Sequence, residues 1–151
     1  MHCEISLETK IDVAVETLFE FHKNPTNLPL ITPKNIHVSL LKIPEPFEEK
    51  GVVALTITKW GITQQWEVEL NRVVFPTLIR DVALKSPFKE FVHDHIFKEL
   101  TPTSSLLCDK ISITLPFAPL SYLVLPLIKR DILSMFKYRH KTTKRVLEAI
   151  A

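Results

Sequence analysis

Two histidines, His93 and His95, stand two residues apart in a stretch that alternates as a β-strand does. Alternation sends both imidazoles to one face with Phe91 and Phe97, and sends Glu90 and Asp94 to the other. If the charged face meets water, the histidines project inward among aromatics. Asp109 has the same character. Leu107, Ile111 and Ile113 share its face, while Lys110 and Ser112 take the opposite one. Asp81 sits between Ile79 and Ala83 in a further strand-like run, and Arg139 falls on or beside an apolar helical stripe through Met135 and Phe136. Buried charges need partners, so Arg139 is expected to pair with Asp109 or Asp81, with a histidine bridging.

Three chemistries fit this set. It can be a structural polar network that fixes a helix against a sheet. It can be the polar end of an apolar ligand site, since such pockets use a few convergent polar groups. It can supply general acid–base catalysis through His93 or His95, although no nucleophile or substrate anchor accompanies them. A metal held by His93, His95 and Asp109 is a weaker reading, and no metal and no cofactor are expected. Cys108 lies opposite Asp109 with no activating neighbour. The chain has two glycines in all and no phosphate-binding loop.

The elements that must position these residues follow from pattern. Residues 3–11 alternate as a half-buried strand. Asp12 is expected to cap a helix from Val13 that carries Val15, Leu18, Phe19 and His22 on one face and ends at Asn24-Pro25. A short helix or irregular loop follows over 27–33. Six strands come next: 36–43, 52–60, 62–74, 78–84, 88–100 and 105–115. Gly61 suits a tight hairpin, and Trp66, Val68 and Leu70 face inward opposite Glu67 and Glu69. Pro119 then opens a long helix whose stripe runs through Leu120, Leu123, Val124, Leu127, Ile128, Met135, Phe136, Val146 and Ile150, with a kink at Pro126. Strands in series imply an antiparallel sheet, and the long helix is the element able to cover its apolar face.

Bulk composition bounds the reading. The chain has 151 residues, enough for one ordinary domain, with 46% hydrophobic and 24% charged residues and a net charge of +2. No strong field favours nucleic acid, and no nucleic-acid partner is expected. Lys137, Lys141, Lys144 and Arg145 read as a solvated helix end. Two distant cysteines and no basic-then-apolar leader lead us to expect a cytoplasmic protein with reduced thiols. The uncharged stretch 111–128 is interrupted by Pro116, Pro119 and Pro126, so no membrane span is expected.

Several stretches resemble the helix-grip START/SRPBCC superfamily, which includes lipid-transfer START domains, birch-pollen-type allergens and aromatase/cyclases. They are most similar to its polyketide cyclase/dehydrase-like ligand-binding branch. The passage 11–21 resembles that family's first strand-to-helix passage, and Asn24-Pro25-Thr26-Asn27-Leu28 its "dP-nL" helix. Trp66-Glu67-Val68 and Asp81 fit its middle strands. Ser86-Pro87-Phe88 through Phe97 resembles its "GPF-W-H-H-F" strand, Leu107-Cys108-Asp109 through Pro116 its "L-D-Y-P" strand, and Phe136-Lys137-Tyr138-Arg139 its "F-yR" motif. Ser86, Phe91 and Ile113 depart from the usual glycine, tryptophan and tyrosine. The lost hydroxyl weighs against acid–base chemistry more than against binding.

The resemblance implies one START-like domain over 1–151. Its α+β fold would be a curved seven-stranded antiparallel sheet wrapped around a long C-terminal helix, with two short helices after the first strand. A small apolar molecule (lipid, quinone, polyketide or similar) is the expected partner. Trp66, Phe91, Phe97, Leu123, Leu127 and Phe136 would line its cavity. Asp81, His93, His95, Asp109 and Arg139 would hold its polar end, and an apolar entrance at 116–128 would make transient membrane contact. The alternatives are a cyclase or dehydratase using His93 or His95 in the same cavity, and an interaction domain whose cavity is filled by its own side chains.

Overall fold

Residues 2–117 and 119–150 are described by a computed structural model; Met1, Ala151 and Ala118, the last within the expected entrance, lie outside it. Strand β1 (His2–Ile11) leads into helix α1 (Val15–Lys23) and two 3-10 turns (Pro25–Asn27 and Pro29–Ile31). Six strands follow: β2 (Ile36–Lys42), β3 (Val52–Lys59), β4 (Ile62–Val74), β5 (Leu78–Lys85), β6 (Glu90–Thr101) and β7 (Ser104–Thr114). Helix α2 (Ser121–Ile150) closes the sequence. The strands form one antiparallel sheet in the order β1-β7-β6-β5-β4-β3-β2. Register shifts at Leu40/Lys42, Glu67/Val68, Leu70/Arg72 and Glu99/Thr101 add local twist, which bends a sheet into a concave surface.

The alternation in β1 works as expected. Cys3, Ile5 and Ile11 are buried, and Glu4, Ser6 and Glu8 are not. The expected cap is not there. Helix α1 starts at Val15, and its cap position is Ala14, without a side-chain hydrogen bond. Asp12 lies too far upstream because Val13 N–H first turns back to the Ile11 carbonyl, which buries the Val13 side chain. Trp60 and Gly61 form the two-residue turn between β3 and β4, both with positive φ (52° and 74°), the geometry of a type I′ hairpin.

Helix α2 buries a different stripe from the expected one. Its inward residues are Ile132, Phe136, His140, Thr143 and Leu147, at steps of three and four. Leu120, Leu123, Leu127 and Ile150 are exposed instead. The first eight residues of α2, 121–128, carry no charge, so periodicity there does not select a face. In the second half the buried face includes His140, whose partners come from the sheet, and Thr143.

Three apolar clusters frame the interior. One, around Phe19, Phe97, Leu107 and Leu147, fills the space beneath α1. A second joins β1 and β7 to α2 through Ile5, Ile111, Ile132 and Phe136. A third lies on β2–β4 around Leu55 and Trp66. Between them lies unfilled space.

Candidate functional site

The unfilled space is a cavity of about 850 Å³, walled by the inner faces of β3–β7 and by α2. Trp66, Phe88, Phe91, Met135 and Phe136 give it an aromatic and thioether lining. Trp66 meets Phe91 edge-on at 5.2 Å between ring centroids, while Phe88 stacks on Phe91 at 5.6 Å.

One end of the cavity is polar, and Asp109 organises it. This carboxylate is 3% exposed. Its Oδ1 accepts from His93 Nε2 at 2.6 Å and its Oδ2 accepts from His140 Nε2. His140 Nδ1 meets Thr9 Oγ1 at 2.8 Å, which ties the cluster to β1. On the next strand, His95 Nε2 donates to Asp81 Oδ2 at 2.7 Å. The His93 and His95 rings lie 3.7 Å apart between centroids, as two side chains on one strand face must. His22 reaches in from α1, with Nδ1 donating to the Leu18 carbonyl at 2.9 Å.

Electrostatics sort these groups. Burial works to raise the Asp109 carboxyl, but His93, His140 and His95 outweigh it and hold it well below the usual carboxylate range. Burial, reinforced by the His95 charge, lowers His93. His95 goes the other way, because Asp81 and Asp109 overcome its desolvation and raise it. Burial takes His22 down to about 4. Arg139 is lowered by burial to about 10 and stays cationic at neutral pH.

The expected pairing of Arg139 with a carboxylate does not form. Both oxygens of Asp109 already hold imidazoles and Asp81 holds His95, so Arg139 makes no ion pair among the described residues. It rests over the Phe136 ring at 5.0 Å, and its Nε is buried without a partner. Four other buried polar atoms lack partners among the described residues: Trp66 Nε1, His95 Nδ1, Ser121 Oγ and Thr143 Oγ1. All five residues line the cavity. Buried polar groups are normally satisfied, and here the unsatisfied ones all border one space.

Eight of the eleven expected site residues meet there: Trp66, Asp81, Phe91, His93, His95, Asp109, Phe136 and Arg139. Three do not. Phe97 is packed edge-on against Phe19 beneath α1, at 5.6 Å between centroids. Leu123 and Leu127 point outward, at 79% and 65% exposure. His140, His22 and Thr143 belong to the site without having been singled out for it. His140 falls four residues after Phe136, so its place on the inner stripe was readable from spacing. As for a metal, the ligand atoms of Asp81, His93 and His95 lie within 4.8 Å of one another, so the geometric triple contains Asp81 in place of the expected Asp109. Each of these side chains is already hydrogen-bonded to a neighbour within the cluster.

At the other end the cavity opens beside the β3–β4 hairpin and the start of α2. Lys59 and Asp131 form an ion pair from strand to helix across this rim. Trp60 and Phe117 flank it at 80% and 82% exposure. Both hold left-handed backbone (φ 52° and 60°), a costly conformation for bulky residues. Among the described residues no helix is long and apolar enough to cross a membrane.

The curved antiparallel sheet with a long helix laid along it superposes on several solved structures. A START superfamily protein from Mycobacterium smegmatis superposes with a TM-score of 0.75 over the whole of both chains, at 15% identity. The fold is the helix-grip fold. A point mutant of norcoclaurine synthase from Thalictrum flavum, in complex with a transition-state analogue, superposes at a TM-score of 0.73 and 12% identity, over 100% of this chain and 98% of that one. The di-domain ARO/CYC StfQ from the steffimycin biosynthetic pathway matches at 0.73 and 12%, over 95% of this chain and 50% of that one. No family model and no curated protein matches the sequence. The likeness is therefore one of fold, and a helix-grip fold hosts binding proteins and enzymes alike.

Proposed function

We propose that this chain binds a small hydrophobic ligand (a lipid, quinone, polyketide or similar molecule) between the sheet and α2. The polar end of the ligand would lie at the cluster of Asp81, His93, His95, Asp109 and Arg139. One observation carries this reading: the buried polar atoms without partners all border one largely apolar cavity of about 850 Å³. That volume lies within the range of small-molecule sites, and it weighs against an interaction domain filled by its own side chains. On this reading residues 1–151 act as one START-like ligand-binding domain.

Binding takes precedence over turnover because Asp109 is committed to a structural pair of histidines. It holds two imidazoles at once, where acid–base catalysis needs one base poised towards a substrate. His95, held by Asp81 through Nε2, with Nδ1 at the cavity wall and unpartnered among the described residues, is the group a cyclase or dehydratase would use. Native mass spectrometry of gently purified protein, followed by solvent extraction, is expected to find one apolar adduct per chain. A clean apo mass with an empty extract would remove the carrier reading and favour a cyclase or dehydratase.

The exposed rim supports transient contact with a membrane as the route of exchange. Trp60 and Phe117 come from separate elements, project beside the cavity mouth and are followed on α2 by exposed Lys129 and Arg130. Aromatic side chains flanked by cations suit the headgroup boundary of an anionic bilayer. Co-sedimentation with vesicles of phosphatidylcholine and phosphatidylserine is expected to fall several-fold in a Trp60→Ser, Phe117→Ser variant. Equal sedimentation of variant and wild type, or none of either, would contradict this contact.

A further inference from the structure

Arg139 poses a question that the binding reading leaves open. A guanidinium carries five N–H donors in a planar fork and no acceptor. Here it is cationic, its Nε is buried, and no protein hydrogen bond reaches it among the described residues. The residue as a whole is half-buried, and a charged N–H shielded from water without an acceptor is costly in a folded protein. The two carboxylates that could have paired with it are held by histidines. Below it lies the Phe136 ring, and beside it is the polar end of the cavity, where Asp109 and His95 are close enough to feel its charge. The missing acceptor must come from whatever occupies the cavity.

We infer that the ligand is an organic acid, an apolar body ending in a carboxylate that Arg139 receives at the end of the cavity remote from the rim. This rests on the binding reading and sharpens it. A neutral carbonyl presents a single oxygen to the planar fork and brings no charge. A planar carboxylate accepts two parallel N–H bonds and brings one opposite charge. A phosphate monoester would bring nearly two charges to a single guanidinium. Thr143, whose Oγ1 also lacks a partner, lies one helical turn further along the same wall and offers a third donor. Asp81 and Asp109 add negative charge nearby. His95 stands between them, and these two carboxylates favour a balancing proton on its ring.

The position of Arg139 sets the ligand's length. Asp131 marks the rim on α2, and eight residues of helix separate it from Arg139, about 12 Å at 1.5 Å per residue. An extended medium-chain acid, or a linear polycyclic one, spans such a distance with its apolar end at the mouth.

The test uses N-phenyl-1-naphthylamine, a neutral fluorescent probe of apolar sites, displaced by dodecanoate or by dodecan-1-ol at pH 8. The two competitors share one chain and differ at the head. Dodecanoate is expected to displace the probe at about one-tenth the concentration of the alcohol, the equivalent of one charged hydrogen bond. In Arg139→Met the preference should shrink to within about twofold while the probe still binds. Arg139→Lys keeps the charge and loses the fork, and should retain part of the preference. Equal displacement by acid and alcohol in the wild type would overturn the carboxylate and leave the binding reading standing. Absence of probe binding, with no effect of either competitor, would overturn both.

Discussion

Asp109→Ala will lower the stability of the chain by about 3–5 kcal/mol, the cost of breaking a buried charge pair from one side. Asp109 is the sole acceptor the described residues offer to His93 Nε2 and to His140 Nε2. Its removal leaves two imidazole N–H groups buried and unmatched, on two different elements. One of them, on α2, is also the link through Thr9 to β1. Asp109→Asn will cost nearly as much, because the amide offers one oxygen and turns its NH₂ group, a donor, towards the second imidazole. Asp81→Ala will cost less, about 1 kcal/mol, since that carboxylate holds a single histidine and is partly exposed. Urea unfolding followed by circular dichroism measures all three. A loss under about 1 kcal/mol for Asp109→Ala would mean that the cluster does not fix α2 on the sheet. The comparison belongs near pH 7.5. Asp109 is held below its unfolded value, so its contribution is complete above about pH 4 and fades only as the pH falls through the lower folded value.

The cluster and its supporting strands were largely legible in the sequence because strand alternation has a period of two and leaves little choice. His93, His95 and Asp109 had to share an inner face once Asp94 and Lys110 faced out. The Trp60-Gly61 turn was legible for a similar reason, since two strands around a single glycine leave few turn types. What pattern missed depends on distance along an element rather than on face. Phe91 and Phe97 point the same way from β6, yet α1 covers Phe97 through Phe19 and leaves Phe91 to the cavity. Arg139 and Asp109 both point inward, but His140 lies closer to Asp109 and takes the oxygen expected for the arginine. Leu123 and Leu127 carried an apolar signal that belongs to the rim. The size of the cavity was out of reach, because it follows from sheet curvature set at four register shifts that no local pattern marks.

Filling the cavity separates binding from stability. Ile57 on β3 and Val68 on β4 line it from the sheet side. In a packed core, replacing both by tryptophan would cost several kcal/mol through overpacking. Here the added rings enter open space and gain apolar contact, so Ile57→Trp combined with Val68→Trp should change stability by less than about 1 kcal/mol. The same rings occupy the volume a ligand needs, and affinity for an apolar molecule should fall at least tenfold, of order 1.4 kcal/mol or more. The measurement that bears most directly on the open cavity is therefore a titration of wild type and double variant with N-phenyl-1-naphthylamine. Saturable binding of one probe per wild-type chain, lost in an equally stable variant, is the predicted result. Undiminished binding in a folded variant would place the ligand elsewhere, and several kcal/mol of destabilisation would mean that the space between sheet and helix is not open.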